Sequence, residues 1–164
     1  MLFRSQLHAR RRARAAAGYG DYSFLKQLAA EDIALRLSAI NRRFDRVLDL
    51  GAHDGTLGRA LKADPLVASK VGEIVPADLS PAFGHMQADE EELPFQEQSF
   101  DLVVSALSLH WVNDLPGALV QIRRVLKPDG LFIATVLGGR TLTELRQSLL
   151  ARSEEHTSEL QSRQ

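Results

Sequence analysis

The stretch Asp49-Leu50-Gly51-Ala52-His53-Asp54-Gly55 begins inside the apolar run Val47 to Leu50 and leads straight into a helical pattern, Thr56 to Lys62. A strand that turns through glycines into a helix is the entry to a ligand-binding α/β unit. Glycine there lets the backbone approach a ligand with no Cβ in the way. The turn fails the G-x-G-x-x-G pattern of nicotinamide and flavin sites, because the positions counted from Gly51 hold His53 and Thr56. Two readings of the turn stay open at this point: a different ligand loop, or a tight strand-to-helix turn that binds nothing.

On the N-terminal side, Asp21 to Asn41 reads as an amphipathic helix with Ala29, Ile33, Leu37 and Ile40 on one stripe, and Gln27, Glu31 and Arg36 elsewhere on the wheel. On the C-terminal side, Glu73 to Pro76 is a weaker strand candidate. Phe100 to Val104 and Leu131 to Val136 are the continuous apolar runs of strands buried on both faces. A helix separates those two, with Leu115, Leu119, Ile122 and Leu126 at helical spacing and Pro116 in its first turn; Lys127-Pro128-Asp129-Gly130 then supplies a turn. Alternating strand and helix signals predict an α/β fold with a doubly wound parallel sheet. Only ten residues lie between Asp78 and Asp89, too few for a full crossover helix, so a single turn or none is expected there and the third strand is short.

The chain has 164 residues, 45% apolar and 25% charged, with a formal net charge of −1. That is the balance of one globular domain. Without cysteine there are no disulfides, thiolate metal sites or thiol nucleophiles, and the spacing of His53, His85 and His110 suggests no metal site. The longest apolar run, Leu131 to Leu137, falls far short of the roughly 20 residues that span a bilayer. Residues 1–20 hold Arg4, Arg10, Arg11, Arg12 and Arg14 and no acid. Such an arm can be an organelle transit peptide, a partner-binding arm, or a solvated basic helix face.

Asp49, Gly51 and Gly55 resemble motif I of the class I S-adenosylmethionine-dependent methyltransferases, with His53 in place of the middle glycine. Asp78 stands where that family places the acid that accepts the ribose hydroxyls. Asp89, ahead of Leu93-Pro94-Phe95, resembles its adenine-contacting acid, whereas Glu91 and Glu92 read as solvated. Ser99 to Val103 and Leu126 to Gly130 match further signatures, so the resemblance covers residues 46–137. It implies a Rossmann-like sheet cut off after its fifth strand, S-adenosyl-L-methionine as cofactor, and Asp49, Gly51, Ala52, Gly55, Asp78, Leu79, Asp89, Glu90 and Ser105 as cofactor-binding residues. His110, just past the fourth strand, is the candidate base. Trp111 beside it either walls the cleft or fills core, core being the expectation.

Ser105 to Pro116, Leu137 to Arg146 and the arginine arm with Tyr22 to Lys26 resemble the complex I assembly factor 5 family and its alphaproteobacterial relatives. That resemblance implies a role in maturing a respiratory NADH dehydrogenase subunit, by arginine hydroxylation or by methyl transfer. It suits a bacterial cytoplasm, with the mitochondrial matrix as alternative. A nucleic-acid module using Arg10 to Arg14 is the remaining class, disfavoured by the overall charge. The expected organisation is a basic arm (1–20), a helix (21–41), a partial cofactor-binding domain (42–151) and a tail (152–164). Thr141 to Glu144 has capping-box spacing and opens a last helix with Leu142, Leu145 and Leu149 on one face. From Arg152 to Ser162 the tail resembles a translated sequencing adapter, which marks it as foreign to the fold.

Overall fold

The computed structural model describes residues 3–145 and 147–150, with side chains from Ser5 onward. The adapter-like stretch Arg152 to Ser162 lies outside them. Five strands, β1 (Phe44–Leu50), β2 (Val71–Asp78), β3 (Met86–Gln87), β4 (Phe100–Ala106) and β5 (Leu126–Thr135), form one sheet in the order β3-β2-β1-β4-β5. All four pairings are parallel. The chain starts in the middle of the sheet, builds outward to β3, then returns to place β4 on the other side of β1. Between β1 and β4 the winding direction reverses, and the carboxyl ends of strands at such a switch point form a crevice.

Alternate residues of the central strands feed two cores. Val47, Leu102 and Val104 pack with α2 (Phe24–Ser38), α3 (Thr56–Ala63) and α4 (Pro65–Ala68), through Ile33, Leu37, Leu57, Leu61 and Val67. Leu48, Leu50 and Val103 pack on the opposite face with Ile122 and Val125 of α5 (Leu115–Val125). Strands buried on both sides explain why β1 and β4 read as unbroken apolar runs. Each fully buried Leu, Ile or Phe contributes about 1.5–3 kcal/mol relative to exposure.

The sheet extends beyond the runs that the sequence marks. Glu73 to Pro76 is the middle of the eight-residue β2, whose flanks pair with β1 from Phe44↔Val71 to Leu50↔Ala77. The expected Lys127 to Gly130 turn is looped out within β5, where pairing steps from Phe100↔Leu126 to Leu102↔Leu131 and Asp129 takes φ +60°. The short link after Asp78 is one 3-10 turn, Pro81–Phe83, before the two-residue β3.

Three expectations are corrected. In α5 the buried face is Ala118, Ile122 and Val125, whereas Leu115 and Leu119 are exposed, because Asp114 accepts the Gly117 amide at 2.9 Å and turns the first leucine outward. Helical structure resumes at Thr143 rather than Thr141, since Leu142 takes φ +59°, and the Thr141 to Glu144 capping box does not form. Glu91 is not simply solvated: its Oε1 accepts the amides of Asn113 at 2.6 Å and Asp114 at 3.2 Å, tying the acidic loop to the start of α5. Ahead of α2, α1 (Phe3–Ala15) and a 3-10 segment (Ala16–Tyr22) lie over the carboxyl end of the sheet.

Candidate functional site

Three features hold the glycine turn in shape. Gly51 and Ala52 donate their amides to Ala77 O at 2.9 and 3.0 Å, continuing the β1–β2 ladder past the last strand residue. Gly51 takes φ +72°, and a Cβ there would stand 2.2 Å from Ser108 Oγ, so both conformation and space require glycine. Gly55, at φ +79°, precedes the first residue of α3. His53 adopts φ +54°, the left-handed conformation expected of the glycine it replaces. Its ring stacks on Tyr19 with centroids 5.1 Å apart and meets the edge of Phe83 at 5.9 Å. The histidine therefore keeps the shape of the turn and adds an aromatic wall.

Lys26 of α2 fastens the turn from behind. Its ammonium is almost fully buried and reaches Gly51 O at 2.6 Å, Ala106 O at 2.7 Å and His53 Nδ1 at 2.8 Å. The turn after β1 and the end of β4 are thus joined through one cation. Accepting from Lys26 leaves the His53 proton on Nε2, an assignment that follows from the network. Burial first, then the charges of Lys26 and Arg12, holds the His53 pKa at about 2, so the imidazole is neutral. Burial pulls Lys26 down to about 8, opposed by the charge of Asp49. Asp49 is wholly buried and neither carboxylate oxygen has a hydrogen-bond partner among the described residues. Its pKa rises to about 6 through burial; Lys26's charge opposes that rise, as does the Gly58 amide, which stays short of full hydrogen-bond geometry.

Asp78 ends β2 at the mouth of the crevice. Its Oδ1 accepts the Ser80 amide at 2.8 Å and its Oδ2 the His53 amide at 2.9 Å. Arg12 of α1 also donates to Oδ2, at 2.5 Å, and approaches Glu90 Oε1 at 3.9 Å. Glu90 is buried and accepts Ser108 Oγ at 2.8 Å; burial raises its pKa, opposed by that hydrogen bond and by Arg12. Asp89 is half-buried and bridges to Glu92, with its Oδ1 on the Glu91 amide at 3.1 Å. Leu79 is buried beside Asp78, and Ser105, near the end of β4, is buried with its hydroxyl unpartnered among the described residues.

A cavity of about 590 Å³ is lined by residues that include His8, Arg11, Arg12, Tyr19, His53, Phe83, His110 and Trp111; Asp78 and Glu90 do not line it, and Arg12, which does, stands on Asp78. That volume lies within the ordinary range of small-molecule sites, about 300–1,000 Å³. Tyr19, His53 and Phe83 make one aromatic wall. His8, Trp111 and His110 make the other, with Trp111 5.3 Å from His8 and 5.2 Å from His110. Trp111 is 59% exposed, so it walls the cleft and does not fill core, contrary to expectation. His110 lies in the 3-10 turn after β4 (Leu109–Trp111) with its Nδ1 buried and without a partner among the described residues; burial lowers its pKa, which keeps it neutral at neutral pH.

The glycine turn, Asp78, Leu79, Glu90, Ser105 and His110 therefore gather at one end of the sheet. Asp49 faces away, toward Lys26 and Gly58. The residues that sequence reasoning missed are Arg12, Lys26, His8, Tyr19 and Phe83. Lys26 carried a usable signal, since it lies four residues before Ala30 and seven before Ile33, on the apolar stripe of α2.

A family model described as a methyltransferase domain matches residues 48–134. The mouse mitochondrial protein named arginine-hydroxylase NDUFAF5 is 47% identical over 140 residues, covering 78% of this chain and 39% of that protein. A Rickettsia prowazekii protein named as methyltransferase RP459 is 39% identical over 111 residues, covering 63% and 47%. Among solved structures, a methyltransferase in complex with the Haloferax volcanii Trm112 methyltransferase activator superposes with a TM-score of 0.63 at 26% identity, covering 76% of this chain and 59% of that one. The chain spans about two fifths of the length of its mitochondrial relatives.

Proposed function

Since the chain belongs to the methyltransferase-domain family, we propose that its cleft binds S-adenosyl-L-methionine and serves methyl transfer to an acceptor. The observation that carries this reading is Asp78, a buried carboxylate fixed by two backbone amides at the carboxyl end of β2, beside the switch point and beneath Arg12, which lines the cavity. An acid in that position accepts ribose hydroxyls. The missing Cβ of Gly51 lets the Ser108 side chain pack against the turn, which fixes the loop's path. Gly51, Ala52 and Gly55 would shape the loop around the cofactor, with Asp49 bracing it from behind. Asp78 and Leu79 would hold the ribose end, Asp89 and Glu90 the base, and Ser105 the floor.

Bound there, the cofactor supplies an electrophilic methyl group on a sulfonium. The chain's own part is to place the acceptor in line, which lowers the barrier mainly through positioning. His110, in the cavity lining, is the group placed to take the proton that a protonated acceptor must lose. Titration calorimetry with S-adenosylhomocysteine tests the reading: saturable binding is expected and is lost in Asp78→Ala. Equal affinity in that variant would refute the site.

A second reading is favoured by the 47% identity to a protein named arginine-hydroxylase. In it the same cleft modifies an arginine of a respiratory NADH dehydrogenase subunit, and the exposed Arg10, Arg11 and Arg14 of α1 face that partner. The compartment is then a bacterial cytoplasm, or the mitochondrial matrix. Mass spectrometry of an arginyl peptide incubated with the protein, S-adenosyl-L-methionine, dioxygen and a reductant separates the two: a gained methyl group supports transfer, a gained oxygen hydroxylation. No helix among the described residues is long and apolar enough to cross a membrane.

A further inference from the structure

Arg12 sits where the cofactor reading needs Asp78 to be free. Its Nη2 is 2.5 Å from Asp78 Oδ2, and the two side chains are 6% and 0% exposed. With His53 N on the same oxygen and Ser80 N on the other, the carboxylate has little capacity left for a pair of hydroxyls. We propose that α1 is a latch that competes with the cofactor, so that Arg12 and the ribose hydroxyls occupy Asp78 in turn. This rests on the reading of the cleft as the cofactor site.

Two further observations support a contact built to open. Arg12 is incompletely satisfied: Nε and Nη1 are buried with no hydrogen-bond partner among the described residues, and Glu90 is too distant, at 3.9 Å, to take them. A buried guanidinium with only part of its donors paired is held weakly, because desolvation costs it more than one contact returns. A ligand that offers Asp78 two hydroxyls therefore displaces it without breaking a saturated network. The second observation is the tether. The 3-10 segment joining α1 to α2 buries no residue, and Gly18 and Gly20 within it have open space where a Cβ would be. Such a segment can change its backbone angles without repacking a core, at the cost of the Tyr19 contacts with His53 and Phe83. The outer face of α1, with Arg10 and Arg14 exposed, is already solvated and needs no partner on release.

The apparent dissociation constant of a ligand rises as the fraction of competent protein falls. A latch closed about ten times in eleven weakens binding about tenfold. The test uses the full chain, calorimetry with S-adenosylhomocysteine, and hydrogen exchange of the amides of residues 5–14. Arg12→Met and Arg12→Gln, which keep the stem of the side chain and remove the charge, should both bind about tenfold more tightly than wild type. In wild type the ligand should speed exchange in α1. Unchanged or weaker binding in both variants, or slower exchange in α1 on ligand addition, overturns the latch and makes Arg12 part of the occupied site. Asp78→Ala separates this from failure of the underlying reading. If it binds as wild type does, or no variant binds, the cofactor site itself is wrong; if it alone loses binding, only the latch is on trial.

Discussion

Removing the Lys26 ammonium, as in Lys26→Met, tests how the turn is held. In wild type the cation supplies hydrogen bonds to Gly51 O, Ala106 O and His53 Nδ1, all within 2.8 Å. The neutral His53 can swap its proton to Nδ1 and rescue Gly51 O, which it approaches at 2.8 Å. Ala106 O has no such substitute, and the buried Asp49 loses its counter-charge. Breaking a buried charge's partnership costs about 3–5 kcal/mol, and the methionine stem recovers some packing, so a loss of about 3 kcal/mol at neutral pH is expected. The pH dependence sharpens the test. Burial lowers Lys26 from 10.5 to about 8, so between those values the unfolded chain binds more protons than the folded one. Stability therefore rises with pH across that window. At about 1.4 kcal/mol for each pH unit of displacement the rise reaches at most about 3 kcal/mol. Urea unfolding of both proteins from neutral pH to about 10.5 reads both effects. A variant more stable than wild type at neutral pH, or a wild-type advantage that stays flat above pH 8, refutes the reasoning.

Two other substitutions probe the same region. Gly51→Ala forces a Cβ to within 2.2 Å of Ser108 Oγ and 2.3 Å of its Cβ at φ +72°; a loss of about 2–4 kcal/mol in chemical denaturation is expected, restored in part by Ser108→Gly but not by Ser108→Ala. Glu90 has its pKa raised by burial from 4.5, so the folded state holds the proton longer than the unfolded one and stability falls as pH rises above 4.5. Glu90→Gln should remove that fall, and parallel melting curves for the two proteins across acid and neutral pH would contradict it.

Local chemistry determined the frame. The runs at Val47 and Phe100 mark strands because both faces of β1 and β4 are covered, a condition that leaves its trace residue by residue. Gly51 was legible because a backbone conformation and a steric limit act at one position, and Asp78 because it is the last residue of its strand. The helix stripes were less secure. Leu115 and Leu119 have the spacing of a buried face, yet the Asp114 cap sets the rotation of α5 and buries Ala118 in their place.

Only the tertiary structure decided the rest, because it depends on partners distant in the chain. An arginine among five in a basic arm is indistinguishable from its neighbours until Asp78, 66 residues on, selects Arg12 and leaves Arg10, Arg11 and Arg14 in solvent. Lys26 owes its burial to a carbonyl 80 residues away, at the end of β4. His53 reads as a defect in a glycine motif until Tyr19 and Phe83 stack around it. A long polar side chain is buried only where the fold supplies acceptors for it. Periodicity records which way a residue points, and the partner that makes its burial tolerable comes from the fold.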